Sequence, residues 1–228
     1  MATKPKRKRM ARKKQPKGLK KITYGYSRSW QKKPFKVLYV LIFAAVFMLL
    51  GHYLFPSSAI SYPYESSNLA TTDFNRVTNY RTSHGWRTLN RASCLDTIAS
   101  HWAKQEATQN AIQDPPASWM NGQLANYCSG HYWLAWGAND GMDPGHPGSG
   151  GELDIFNGFL ASCEHLQNIA DHGTAGTTIN IGACTDKYHV YHSSYNVRAA
   201  AYNQIGTSAW VGSYGNGTLY VAQVFARW

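Results

Sequence analysis

Nineteen successive residues, Val37 to Phe55, carry no acidic or basic charge if His52 is neutral. As a helix rising about 1.5 Å per residue, such a run reaches roughly 28 Å, near the hydrocarbon thickness of a bilayer. The flanks decide between a buried core helix and a membrane span. Residues 1–36 hold 15 Lys and Arg and no Asp or Glu. This polybasic segment has almost no aliphatic periodicity and cannot bury a core, so it reads as a disordered tail. Pro56 and Ser57-Ser58 end the apolar helix. The positive-inside rule then puts 1–36 in the cytoplasm and residue 56 onward outside. A cleaved signal peptide would have a shorter basic region and a small-x-small site, and Ser57-Ser58-Ala59 is a poor one. The expectation is a cell-membrane protein with one uncleaved span, 37–55.

The rest of the chain holds 8 basic and all 12 acidic residues. Its charge is therefore negative, and the basic total of the whole chain is no argument for nucleic-acid binding by the folded part. The tail serves as an orientation signal with added attraction to anionic lipid. Residues 56–70 are rich in Ser, Pro and Tyr and read as a linker, leaving 71–228 as one exported domain. Its clearest helix lies near 92–110, where Leu95, Ile98, Ala99, Trp102 and Ala103 form one apolar stripe. Asp73 is a possible cap for a helix at 74–83, and 152–169 reads as a third. Residues 114–151 read as loop. Ile205–Val211 and Leu219–Arg227 read as a hairpin about a Gly-rich turn, the second strand apolar on both faces and so covered on both sides. Helices first and strands last give an α+β class. Four cysteines without a C-x-x-C pair read as disulfides in an oxidising compartment. Of three connectivities, Cys94–Cys128 with Cys163–Cys184 has the shortest loops.

Four segments carry a family resemblance. Arg81-x3-Gly85-Trp86-x2-Leu89 with the Leu95-x3-Ala99 helix resembles the opening of the CAP superfamily domain in its bacterial form. Ser162-Cys163-Glu164-His165-Leu166-Gln167-Asn168-Ile169 resembles that form's S-P-G-H-R-x-N-I segment, with Phe159 in place of the usual Trp. Ile205-Gly206 and Tyr220-Val221-Ala222-Gln223-Val224-Phe225 resemble its closing strands. The resemblance covers about 74–228. It implies an α-β-α sandwich with a small antiparallel sheet, and a cleft holding two His and two acidic residues. The first His matches His131, the second His165, and the family's G-E-N falls on Gly137-Ala138-Asn139. Ala138 thus stands where the family has Glu, with Glu152 as an alternative match.

The cleft implied in this way is His131, His165, Trp133, Trp136, Asn139 and Glu152. His131 and His165 are also the candidate zinc ligands, although two imidazoles fall short of the three or four that a stable site uses, so zinc binding is expected to be weak. His131, His165 and Ser162 are the catalytic candidates; Ser162 and His165 share a helix face, yet no orienting acid is evident. Cys184, His189 and His192 would form a metal set only if Cys184 were not in a disulfide. Tyr127, Tyr132, Trp133 and Trp136 flank His131 and either line a ligand groove or pack under a loop. The reading is an anchored CAP-like binding module for an extracellular lipid, glycan or peptide. The alternative is a cell-surface hydrolase using the His131/His165 cleft.

Overall fold

The structure is a computed structural model that describes residues 62–228. The basic tail, the apolar run 37–55 and the first part of the linker lie outside the described residues. Among the described residues no helix is long and apolar enough to cross a membrane.

In chain order the elements are β1 (Tyr64–Glu65), α1 (Ser67–Ser83), β2 (Asn90–Arg91), α2 (Ser93–Gln109), α3 (Ala117–Tyr127), β3 (Ala135–Pro144), α4 (Ser149–Ala161) and α5 (Cys163–Ile169). Four short strands follow, β4 (Thr178–Asn180), β5 (Cys184–Thr185), β6 (Tyr191–His192) and β7 (Asn196–Arg198), then β8 (Gln204–Gly212) and β9 (Thr218–Arg227). The main sheet runs β1-β8-β9-β3, antiparallel throughout, and β2 lies parallel beside the start of β8.

β9 explains the layering. From Thr218 to Ala226 every residue is buried, because alternate side chains meet helices on opposite faces. Leu219, Val221 and Phe225 join Ile205, Ala209 and Val211 of β8 against α1 and α4. Ala222, Val224 and Ala226 pack with Leu95, Ile98, Trp102, Met120 and Leu124 of α2 and α3. This is the α-β-α sandwich expected from the resemblance.

Both expected disulfides are present. Cys94–Cys128 ties the start of α2 to the end of α3, and Cys163–Cys184 ties α5 to β5. In the chain-entropy account each contributes about 3 to 4 kcal/mol.

Several boundaries differ from expectation. α1 begins at Ser67, and β1 pairs with β8, so the end of the expected linker 56–70 belongs to the domain. Asp73 does not cap a helix; it is buried inside α1, where Gln223 Nε2 donates to both its oxygens. The expected helix 152–169 is two helices. They break at Ser162, whose extended backbone (φ −96°, ψ 129°) lets it bridge Thr185 next to the Cys163–Cys184 bond. The expected loop 114–151 contains α3 and β3. α3 buries only Met120 and Leu124, a stripe too short to read. β3 is built from residues of low strand propensity, AWGANDGMDP, and is imposed by ten register partners in β9.

Glycine marks the tightest packing. A Cβ at Gly206 would lie 2.1 Å from the carbonyl carbon of Leu95, so α2 rests directly on β8 there. Gly206→Ala is expected to destabilise the domain by about 2 kcal/mol or more, since neither backbone can yield cheaply. Urea unfolding of the variant beside the parent checks this.

Candidate functional site

A cavity of about 520 Å³ opens at the edge of the sheet. Asp140, Gly141, Met142 and Asp143 of β3 form one side. Asp154, Ile155, Gly158 and Phe159 of α4 face them, with Ser162, His165 and, from the loop after α2, Ile112 completing the wall. β3 can approach α4 closely because Gly141 has no side chain; a Cβ there would meet Ile155 at 2.6 Å.

His165 is held at this site by two contacts near the start of α5. The Cys163 disulfide fixes the first turn, and Asn139 Nδ2 donates to the His165 carbonyl at 3.2 Å. Its ring lies 5.1 Å from that of Phe159. Burial lowers the imidazole pKa, opposed by the nearby charges of Asp114 and Glu164, so the ring is neutral at neutral pH. Ser162 lines the same cavity, but its hydroxyl donates to Glu164 Oε2 at 3.3 Å and not to His165. The expected Ser–His pair is adjacent in space without the hydrogen bond that nucleophile activation needs.

His131 is elsewhere. Its amide donates to the Cys128 carbonyl after α3, and its exposed ring stacks on Trp228 at 4.4 Å. β3 then runs on from Ala135 to Asp140, roughly 16 Å at the usual strand rise, before it reaches the cavity. The structure therefore does not bring His131 and His165 into one cleft.

The other residues expected in the cleft do not line this cavity. Trp133 and Trp136 pack against the α2/α3 core, and Trp136 Nε1 donates to Asn121 Oδ1. Tyr127 meets His101 edge-on, and Tyr132 is exposed. Ala138 packs against the same core. Asn139 is fully buried between His165, Gln223 and Asn168. Glu152 is buried against Arg76 at 2.6 Å on the α1 side of α4.

Among the described residues no group of three or more His, Cys, Asp or Glu is arranged to hold a metal ion. Cys184 is in a disulfide, His192 Nε2 lies 2.9 Å from Asp186, and His189 stands at a positive φ of 61°. With His131 and His165 apart, the pair does not fit a zinc ion.

The acidic residues of the cavity were missed in the sequence. Asp140, Asp143 and His146 follow Gly137-Ala138-Asn139 at a three-residue interval, which was the available signal. His146 Nδ1 sits 2.9 Å from Asp143, which raises the histidine pKa. Burial, with Asp114 nearby, pushes Asp140 up to about 7. Behind it Glu106 of α2 is fully buried; burial, reinforced by Asp140, pushes it up to about 9. Gln113 N donates to Glu106 Oε1, while Oε2 has no partner.

These shifts predict a pH dependence. An acid whose pKa is raised on folding binds its proton more tightly in the native state, so its stabilising effect is complete below the unfolded value and is lost as pH rises through the folded one. For Glu106 that window runs from the ordinary 4.5 to about 9. The melting temperature is expected to fall from pH 5 to pH 9, and Glu106→Gln to flatten the fall. Thermal melts of both proteins across that range are the check.

No protein-family model matches the chain, and no curated protein matches it. Solved structures do. An outer surface protein from Borrelia burgdorferi aligns at 9% identity over 74% of this chain and 98% of its own, with a TM-score of 0.48. A cysteine-rich secretory protein from Staphylococcus aureus aligns at 16% identity over 70% of this chain and 38% of its own, TM-score 0.43. An extracellular protein containing an SCP domain, from Bacillus anthracis, aligns at 15% identity over 71% of this chain and 41% of its own, TM-score 0.45. The last two are proteins of the cysteine-rich secretory, or SCP, type.

Proposed function

We propose that the chain is a single-pass membrane protein whose exported, CAP-like domain binds a ligand in the cavity beside His165 and does not cleave it. The observation that carries the binding reading is the cavity itself, open beside a sheet edge, part apolar through Ile112, Ile155 and Phe159 and part acidic through Asp140, Asp143 and Asp154. Against hydrolysis stands the Ser162 hydroxyl, which is engaged by Glu164 and not by His165. The export reading rests on the charge asymmetry about 37–55, and the two disulfides suit an oxidising compartment.

Protease added to intact cells is expected to remove the domain and leave the tail protected; a protected domain reverses the topology. For the cavity, Gly158 is the natural plug. A Cβ there meets nothing within 4 Å, so Gly158→Leu has room for its first carbon and adds bulk at the opening. Full-length protein on peptide, glycan and lipid arrays is expected to retain one class, and Gly158→Leu to weaken retention about tenfold, or 1.4 kcal/mol. Retention unchanged by the plug sinks the cavity reading, and turnover of the retained ligand restores the hydrolase.

A further inference from the structure

We infer that the ligand of this cavity is an extended peptide segment bearing Lys or Arg, which adds as a strand to the outer edge of β3 at Asp140 and Met142. The inference rests on the cavity reading above and names its ligand class.

β3 is an edge strand, paired only with β9 among the described residues. The phase of the ladder follows from one bond: the Gly145 amide donates to the Gly217 carbonyl, the continuation of the β3–β9 register. Odd-numbered residues of β3 therefore bond β9, and even-numbered ones aim their amide and carbonyl outward. Two of these outward positions are already capped. Tyr202 Oη donates to the Trp136 carbonyl, and Asn168 Nδ2 to the Ala138 carbonyl. The next two, Asp140 and Met142, have no backbone partner on that side among the described residues, and this is where the cavity opens.

A row of unpaired strand groups is a template for another strand, and proteins normally cover or blunt it. Here the lower half is blunted by two side chains, and the upper half has no such cap among the described residues, with Asp140 buried and Met142 exposed at the cavity. Space for a guest backbone exists on the same side, because α4 presents Gly158 to the opening. A paired strand needs about 4.8 Å of lateral room. Main-chain bonds supply affinity in such docking, and the side-chain environment supplies preference. That environment is acidic: Asp140, Asp143 and Asp154 line the cavity, and no Lys or Arg does. His146 is paired with Asp143 and offsets it, which leaves Asp140 and Asp154 as the acidic groups, with Asp114 close to Asp140. Charge complementarity thus favours a cationic segment over an acidic one.

The test uses the full-length chain and the blocked pentapeptide Lys-Val-Lys-Val-Lys, with Glu-Val-Glu-Val-Glu as its counterpart. Two further peptides carry N-methyl groups on the odd or the even amides. The Lys peptide is expected to bind at least about tenfold more tightly than the Glu peptide. One of the two methylated forms is expected to lose at least about tenfold, since only one edge of the guest faces β3. Hydrogen exchange should slow at the amides of Asp140 and Met142 when the Lys peptide binds. Met142→Pro removes one outward donor and leaves the β9 ladder intact, and is expected to weaken binding by a similar factor. Asp154→Asn, on an exposed helix position, supplies a second variant with reduced affinity and a shallower salt dependence.

Equal binding of both methylated peptides and the parent overturns strand addition, as does equal binding of Lys and Glu peptides. If the Lys peptide fails to bind while Gly158→Leu still blocks a glycan or lipid, the cavity reading stands and this inference falls. A dimer in which β3 of two copies protects the same amides without peptide also overturns it.

Discussion

A buried chain of amide and carboxyl groups holds the layers in register. Gln223, fully buried at the centre of β9, donates to Asp73 of α1 and accepts from Asn139 of β3. Asn139 accepts from Asn168 of α5 and donates to the carbonyl of His165. Asn168 also donates to the carbonyl of Ala138. Four elements are thus joined by side chains that would each be costly to leave unpaired. Burial pushes Asp73 up to about 8, as expected of a carboxyl whose partner is a neutral amide. This chain, together with the Cys163–Cys184 bond, holds the seven-residue α5 and so sets His165 at the cavity.

Hydrophobic packing alone would allow the helices to slide over the sheet. The apolar contacts on the α1/α4 face are non-directional, while hydrogen bonds are not. Arg81 acts in the same way at the other end of α1. It is almost wholly buried, and it donates to the carbonyls of Arg87 and Ile169, so that α1, its following loop and α5 share one anchor.

What the sequence revealed follows the range of each signal. The α2 stripe and the β8–β9 hairpin are local patterns, and both appear nearly where periodicity placed them. The disulfides follow from loop length. The resemblance to the CAP domain anticipated the sandwich, but it placed His131 by its nearness to Gly137. The structure shows that nearness along β3 carries His131 to the Trp228 end of the strand. Gln223 was legible only as one polar residue in an apolar strand. Its partners Asp73 and Asn139 are 150 and 84 positions away, and Asn168 joins through Asn139, beyond any local pattern. β3 itself was hidden because Gly, Asn and Asp are poor strand formers, and its conformation is dictated by β9.

β1 has a mechanical meaning. The described chain enters the sheet through two residue pairs, Tyr64 with Val211 and Glu65 with Trp210, at the edge opposite to β3. Tension applied to the chain at residue 62 is borne first by this short clasp, which opens one pair at a time. β8 and β9, with ladders nine residues long, stand between the clasp and the edge strand. Peeling β1 away would break these two pairs without touching the ten that hold β3 to β9.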